Sequence, residues 1–254
     1  MSPYLRIPAS SSPSPGTVFY VEHGRGAPLL LIHGAGGNHL VWPAALRRLA
    51  GAAVYALDLP GHGRSSGTGR QRIEEYAADV VALLDGLGLS RAVLVGHSMG
   101  GAIAQMVALD YPDRVERLVL VGTGARLRVA PAILEGIEEN LTQVADLLAA
   151  WGWGPGADPR LVAAGRRMML RSDPRVILGD FRACDQFDVR ERAGEIRAPT
   201  LVITGAEDVM TPPKYGQWLA EHIPGARFVP VAGAGHMVML ERPAEVAAAI
   251  QSLL

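Results

Sequence analysis

Ser98 stands in Gly96-His97-Ser98-Met99-Gly100-Gly101, directly after the apolar run Ala92-Val93-Leu94-Val95 and at the head of a helical pattern. A G-x-S-x-G match is informative in that strand–turn–helix setting, because the sharp turn lifts the central hydroxyl out of the packed core. Glycines must flank it, since a Cβ there would collide with neighbouring backbone. Ser98 is therefore the candidate nucleophile. A serine hydroxyl reacts poorly at its own pKa; it needs a base within hydrogen-bond reach, and the base needs a third group to orient it. His236, in the Gly-rich loop Gly233-Ala234-Gly235-His236-Met237, is the candidate base. Asp208, in Gly205-Ala206-Glu207-Asp208, follows the apolar run 200–204 at the carboxyl edge, where parallel α/β sheets place their sites. It is the candidate acid. Gly122-Thr123-Gly124-Ala125, after the preceding strand, offers no carboxylate that could replace it.

These side chains need a rigid frame. Residues 29–32, 54–57, 92–95 and 118–121 are short continuous apolar runs, the pattern of strands buried on both faces, while 17–21 alternates like a half-exposed strand. Helical patterns at 42–49, 73–87 and 101–111 lie between them, and Pro112 ends the last. Strands alternating with helices at this spacing predict an α/β fold with a parallel sheet covered on both faces. The alternation stops after Gly122. Residues 131–150 and 158–184 read as amphipathic helices joined by the breaker Trp151-Gly152-Trp153-Gly154-Pro155-Gly156. It resumes with a strand at 200–204, a helix at 214–222, a strand at 227–231 and a last helix at 243–254.

The chain order Ser98, Asp208, His236 is the nucleophile–acid–base order of α/β-hydrolases. Further motifs are His33-Gly34-Ala35-Gly36-Gly37 after the first buried strand and Asp58-Leu59-Pro60-Gly61-His62-Gly63-Arg64-Ser65 after the next. With them, the chain from about Val18 onward resembles the compact, capped, esterase-like group of the α/β-hydrolase superfamily. The resemblance implies a mostly parallel central sheet flanked by helices, with the core at 1–124 and 191–254 and a helical cap at 125–190. Met99, after the nucleophile and at a helix N-terminus, offers one backbone N–H to an oxyanion; by resemblance Ala35 supplies the other. The pattern implies no cofactor and no metal. A rival dinucleotide reading of Gly34-x-Gly36 fails at the third glycine, whose place His39 takes.

A serine nucleophile, where an aspartate would mark haloalkane dehalogenases and epoxide hydrolases, leaves acyl transfer to water. The expected substrate is a carboxylic ester of short to medium acyl or aryl type. The cap supplies Trp151, Trp153, Met168, Met169, Leu170 and Phe181 as candidate pocket lining, some of them destined for cap core. Gly34, Gly36, Val209 and Met237 join them as candidate substrate contacts from the core loops. Two alternatives stay open: a carbon–carbon bond hydrolase acting on vinylogous diketones, and a non-catalytic ligand receptor on the same fold.

The remaining residues set bounds. At 254 residues, 49% apolar, the chain can bury one sizeable core with an insertion. Net charge is −1 and the basic residues are scattered, so no nucleic-acid partner is expected. The single cysteine, Cys184, forms no intrachain disulfide and is expected to be a small buried residue. Residues 1–16 read as a loose Ser/Pro-rich arm without a secretion signal, and no apolar stretch nears the ~20 residues of a membrane helix. A cytoplasmic monomer or homodimer is the expectation. His33 and His62 are expected to hold loop backbone and His97 to pack the turn, whereas His23, His39 and His222 show no partner in the sequence.

Overall fold

Continuous apolar runs become interior strands because helices cover both faces of the sheet they join. The computed structural model describes residues 3–7 and 16–254. In chain order the elements are β1 (Tyr4–Ile7), β2 (Gly16–Gly24), β3 (Ala27–Ile32), α1 (Ala44–Arg47), β4 (Ala52–Leu57), α2 (Ile73–Gly86), β5 (Ala92–His97), α3 (Met99–Asp110) and β6 (Val115–Val121). The helices α4 (Pro131–Glu139), α5 (Leu141–Trp151), α6 (Pro159–Leu170) and α7 (Pro174–Gln186) follow. The chain then closes with β7 (Thr200–Gly205), α8 (Pro213–His222), β8 (Arg227–Val231), α9 (Val238–Glu241) and α10 (Pro243–Gln251).

The strands form one eight-stranded sheet in the order β1-β2-β4-β3-β5-β6-β7-β8, in which only the β1–β2 and β2–β4 pairs are antiparallel. Alternate residues of each central strand serve opposite layers. Leu29, Leu31, Val93, Val95, Val119 and Val121 pack with Leu46 of α1 and with Val246 and Ile250 of α10. Leu30, Ile32, Leu94, Leu118 and Leu120 face the other way, against α2, α3 and α8 through Tyr76, Ile103 and Leu219. Each fully buried aliphatic side chain contributes about 1.5–3 kcal/mol, so the central strands are held firmly enough to carry a strained turn at their ends.

Three expectations need correction. Tyr4–Ile7, read as part of a loose arm, is a strand paired antiparallel to β2 from Tyr4↔Phe19 to Ile7↔Gly16; residues 1–2 and 8–15 of that arm lie outside the described residues. The helical run 42–49 contracts to the single turn of α1. The stretch 131–150 is two helices, because the Asn140 side chain accepts from the Gln143 N–H and starts α5 afresh. Asp158 and Asp173 begin α6 and α7 in the same way, each followed by proline at the first helical position. The insertion has its own apolar cluster, with Ile133, Ile137, Val144, Leu148, Ile177 and Phe181 at its centre. Among the described residues no helix is long and apolar enough to cross a membrane. Cys184 is buried, and burial pushes its thiol pKa up.

Candidate active site

The turn between β5 and α3 is strained at one residue. Ser98 has φ 53° and ψ −117°, and among the described residues it alone combines a side chain with a positive φ. Such a conformation costs about 1–3 kcal/mol and persists only where its surroundings impose it. A Cβ on Gly96 would run into the Gly100 carbonyl, and one on Gly100 into the Ile32 carbonyl, so this crossing admits glycine alone. The Ser98 N–H donates to the Val121 carbonyl at 2.9 Å and Thr123 Oγ1 donates to the Ser98 carbonyl at 2.8 Å, fixing the turn on β6.

Asp208 follows β7 in a turn folded around its own carboxylate. Oδ1 accepts from the N–H groups of Met210 and Thr211, each at 2.9 Å, and Oδ2 accepts from Thr211 Oγ1 at 2.8 Å and His236 Nδ1 at 2.9 Å. Burial alone would raise the Asp208 pKa, but His236 and the Thr211 hydrogen bonds outweigh it and hold the carboxyl below its usual range. A carboxylate only accepts, so Nδ1 of His236 carries the hydrogen and Nε2 is left as the basic nitrogen. Neighbouring Glu207 is exposed. Thr211 lies outside the sequence motifs named above; its signal is the Asp-x-x-Thr spacing of a side-chain-closed turn.

The buried histidines His97, His33 and His39 hold loops. His97 donates from Nε2 to the His236 carbonyl at 3.0 Å; burial, with the neighbouring His236, pushes its pKa down to about 3 and keeps it neutral. His33 accepts at Nε2 from the Leu59 N–H at 3.0 Å and donates from Nδ1 to the Gly34 carbonyl at 2.8 Å. Burial and then His62 push its pKa down to about 4. His39 does have a partner: Asp58 Oδ1 accepts from its N–H at 2.7 Å and its Nδ1 at 2.8 Å, tying the loop after β3 to the loop after β4.

Ser98 and His236 line one cavity of about 110 Å³. Gly34, Ala35, Gly36 and Met237 line it from the sheet side, and Trp153, Met168, Met169 and Phe181 from the insertion. A Cβ on Gly34 would stand 3.1 Å from Ser98 Cβ, so the Gly34–Gly36 loop lies directly against the elbow. Met99 is the first residue of α3, with its side chain buried in the core and its N–H lacking an intrahelical acceptor. Three candidate contacts, Trp151, Val209 and Leu170, are not on the wall. Trp151 is 39% exposed and Val209 63% exposed; Trp153 and Met210 line the cavity in their place. In α5 the face carrying Ala145, Leu148 and Ala149 meets the cavity, and Trp151 is rotated off it. Around Asp208 the tight turn directs Val209 outward. Arg166, outside the sequence motifs named above, is on the wall, its Nε donating to Asp146.

Two carboxylates join the insertion to the site loops. Asp180 of α7 accepts from the Gly36 N–H at 2.8 Å, and Glu241 of α9 accepts from the N–H groups of Gly154 at 2.8 Å and Gly235 at 2.9 Å. The Met237 N–H also donates to the Gly152 carbonyl at 3.0 Å. Among the described residues no three His, Cys, Asp or Glu side chains gather as metal ligands would.

Known proteins share this architecture. A sequence profile of the Alpha/beta hydrolase family matches residues 29–249. The chain is 31% identical over 209 residues to 3-oxoadipate enol-lactonase 2 of Acinetobacter baylyi, covering 79% of this chain and 78% of that one. It is 29% identical over 250 residues to 2-hydroxy-6-oxo-6-phenylhexa-2,4-dienoate hydrolase of Comamonas testosteroni, covering 90% and 87% respectively. Among solved structures, a thermophilic esterase superposes with a TM-score of 0.83 at 38% identity, over 94% of this chain and 93% of that one. The chain belongs to the alpha/beta hydrolase family and, with these relatives, is a hydrolase.

Proposed function

We propose that the protein is a serine hydrolase of carboxylic esters with short to medium acyl or aryl groups, working through Ser98, His236 and Asp208. The observation that carries this reading is the 2.9 Å bond from His236 Nδ1 to Asp208, in a cavity shared with the strained Ser98. His236 Nε2 takes the Ser98 proton as Oγ attacks the acyl carbon, and the Ala35 and Met99 amides bind the resulting oxyanion. His236 then passes the proton to the departing alkoxide, leaving an acyl-enzyme. Water repeats the sequence and frees the acid and Ser98. Asp208 holds the imidazole tautomer and stabilises the imidazolium.

The helices at 131–186 serve as a cap over this chemistry. Their contribution to the wall is apolar apart from Arg166, which suits an uncharged acyl chain. At about 110 Å³ the cavity is smaller than the roughly 300–1,000 Å³ sites of drug-sized ligands, which favours short chains. Arg166 favours a second reading, a carbon–carbon hydrolase whose dienoate carboxylate would meet that guanidinium. Turnover of p-nitrophenyl acetate and butyrate, set beside a ring-fission dienoate and with Ser98→Ala as control, separates the readings. Ester turnover in excess supports the first, dienoate turnover in excess the second, and slow turnover of both is what a non-catalytic receptor on this fold would show.

A further inference from the structure

Ala35 lies between two peptide planes, and each is pinned from a different part of the molecule. The Ala35 N–H shares its plane with the Gly34 carbonyl, which accepts from His33 Nδ1 at 2.8 Å and from the Gly37 N–H at 3.1 Å. In a trans peptide the N–H points opposite to the carbonyl, so these bonds turn the Ala35 N–H away from the loop's own centre. The next plane carries the Gly36 N–H, and its acceptor is Asp180 on α7, 144 residues further along the chain.

Asp180 is 0% exposed. A carboxylate taken fully out of water costs several kcal/mol unless charge and hydrogen bonds compensate it. Here Oδ2 accepts from Gly36 N–H and from His62 Nε2 at 2.7 Å, and Oδ1 from the Tyr76 hydroxyl at 2.6 Å. His62 Nδ1 in turn meets the Pro60 carbonyl at 3.0 Å, so both ring nitrogens face acceptors, an arrangement that favours the imidazolium. Tyr76 is itself oriented by the Arg70 N–H, which donates to its hydroxyl oxygen at 2.9 Å. All the donors come from the sheet's side, and the acceptor alone comes from the insertion.

We propose that Asp180 is a positioning residue for the oxyanion-binding amide of Ala35, so that the insertion completes the oxyanion hole as well as walling the pocket. Without the Asp180 carboxylate the Gly36 peptide is free to rotate, since glycine at φ 62° has no side chain to restrict it. Ala35, between the two planes, shifts with it, and its N–H is left held by the bonds to the Gly34 carbonyl alone. The proposal rests on the ester-hydrolase reading above.

The test uses the full chain with Asp180→Ala and p-nitrophenyl butyrate, rates being referred to active sites counted by titration with a fluorophosphonate. The second readout is inhibition by an alkyl trifluoromethyl ketone, whose tetrahedral adduct puts an oxyanion where the Ala35 amide points. The expected result is a kcat reduced roughly 10- to 100-fold, less than the 10²–10³ of deleting a donor outright. KM should stay within about threefold, and the ketone should bind weaker by about the factor lost in kcat. Titrated sites with wild-type kcat and wild-type ketone affinity, whatever the melting temperature, would reduce Asp180 to a mechanical anchor and overturn the proposal. If Asp180→Ala does not accumulate as folded protein, Asp180→Asn takes its place, since it removes the charge and leaves the Gly36 N–H a weaker, neutral acceptor. It is expected to lose about 3- to 10-fold in kcat and in ketone affinity together, and no loss in either overturns the proposal. A wild-type protein inert to all esters would instead sink the ester reading itself.

Discussion

At Asp208 the four incoming hydrogen bonds decide what an amide would do. Oδ1 already receives two backbone N–H groups, so in Asp208→Asn the amide oxygen stays there and the NH₂ takes the place of Oδ2, facing His236 Nδ1. Nδ1 must then accept, the proton moves to Nε2, and the base is lost. A comparable change in serine proteases costs ~10⁴-fold. We expect Asp208→Asn to reduce kcat/KM by about 10³–10⁴. The exposed neighbour offers the contrast: Glu207→Gln should stay within about tenfold. Both are read on one p-nitrophenyl ester, and the opposite ranking would make Glu207 the acid. Met168 is a second test at this scale, since it lines the cavity from α6. Met168→Ala should raise the preference for longer acyl chains while sparing the acetate ester; equal loss on all chain lengths would mark Met168 as packing only.

The turn-and-strand elements of the site were legible because their signals are local. Ser98 and Asp208 each follow an apolar run that forms an interior strand, His236 follows the edge strand β8, and the loops announce themselves by glycine. What escaped is long-range or depends on rotation. Four residues of β1 lie beside a Ser/Pro-rich stretch and are ordered by pairing with β2. Trp151 and Trp153 differ by two positions across a helix end, and nothing in the sequence says which of them meets the cavity. Asp180 and Glu241 find their backbone partners 144 and 87 residues away. Glu241 matters at this scale because it ties the breaker after α5 to the loop that carries His236. Glu241→Ala strands two N–H groups, each worth about 1–3 kcal/mol if left dry. The site is part-buried and water will replace some of this. We expect Tm to fall by about 2–6 °C and kcat/KM by about tenfold, with Glu241→Gln milder on both. Unchanged kcat/KM in Glu241→Ala would show that the breaker does not help to place His236.

For the whole molecule, buried histidines of opposite character shape the response to pH. His33 and His97 have pKa values lowered to about 4 and about 3, chiefly by burial, so the unfolded chain binds protons that the folded chain refuses. Their effect is to weaken the fold as pH falls below about 6.5, by up to about 1.4 kcal/mol per pH unit for each group. His62 runs the other way. Burial works to lower its pKa, but Asp180 outweighs that and the net shift is upward, with His33, Tyr76 and Asp58 as its other titratable neighbours. Its contribution is complete below about 6.5 and is lost as pH rises through the raised value. Tm should therefore peak near neutral pH, and His62→Asn should flatten the alkaline side and, by relieving the lowering of the His33 pKa, ease the acid side as well. Equal alkaline slopes in the variant and the wild type would remove His62 from this balance. The central claim, that Ser98 is the nucleophile of a hydrolytic site, is tested most directly by peptide mass spectrometry after treatment with a fluorophosphonate. One phosphonyl group per chain on Ser98, absent in Ser98→Ala, is the predicted result. Modification of Ser65 or Ser66, whose hydroxyls hold the β2 backbone, or an unmodified chain that still hydrolyses esters, would contradict it.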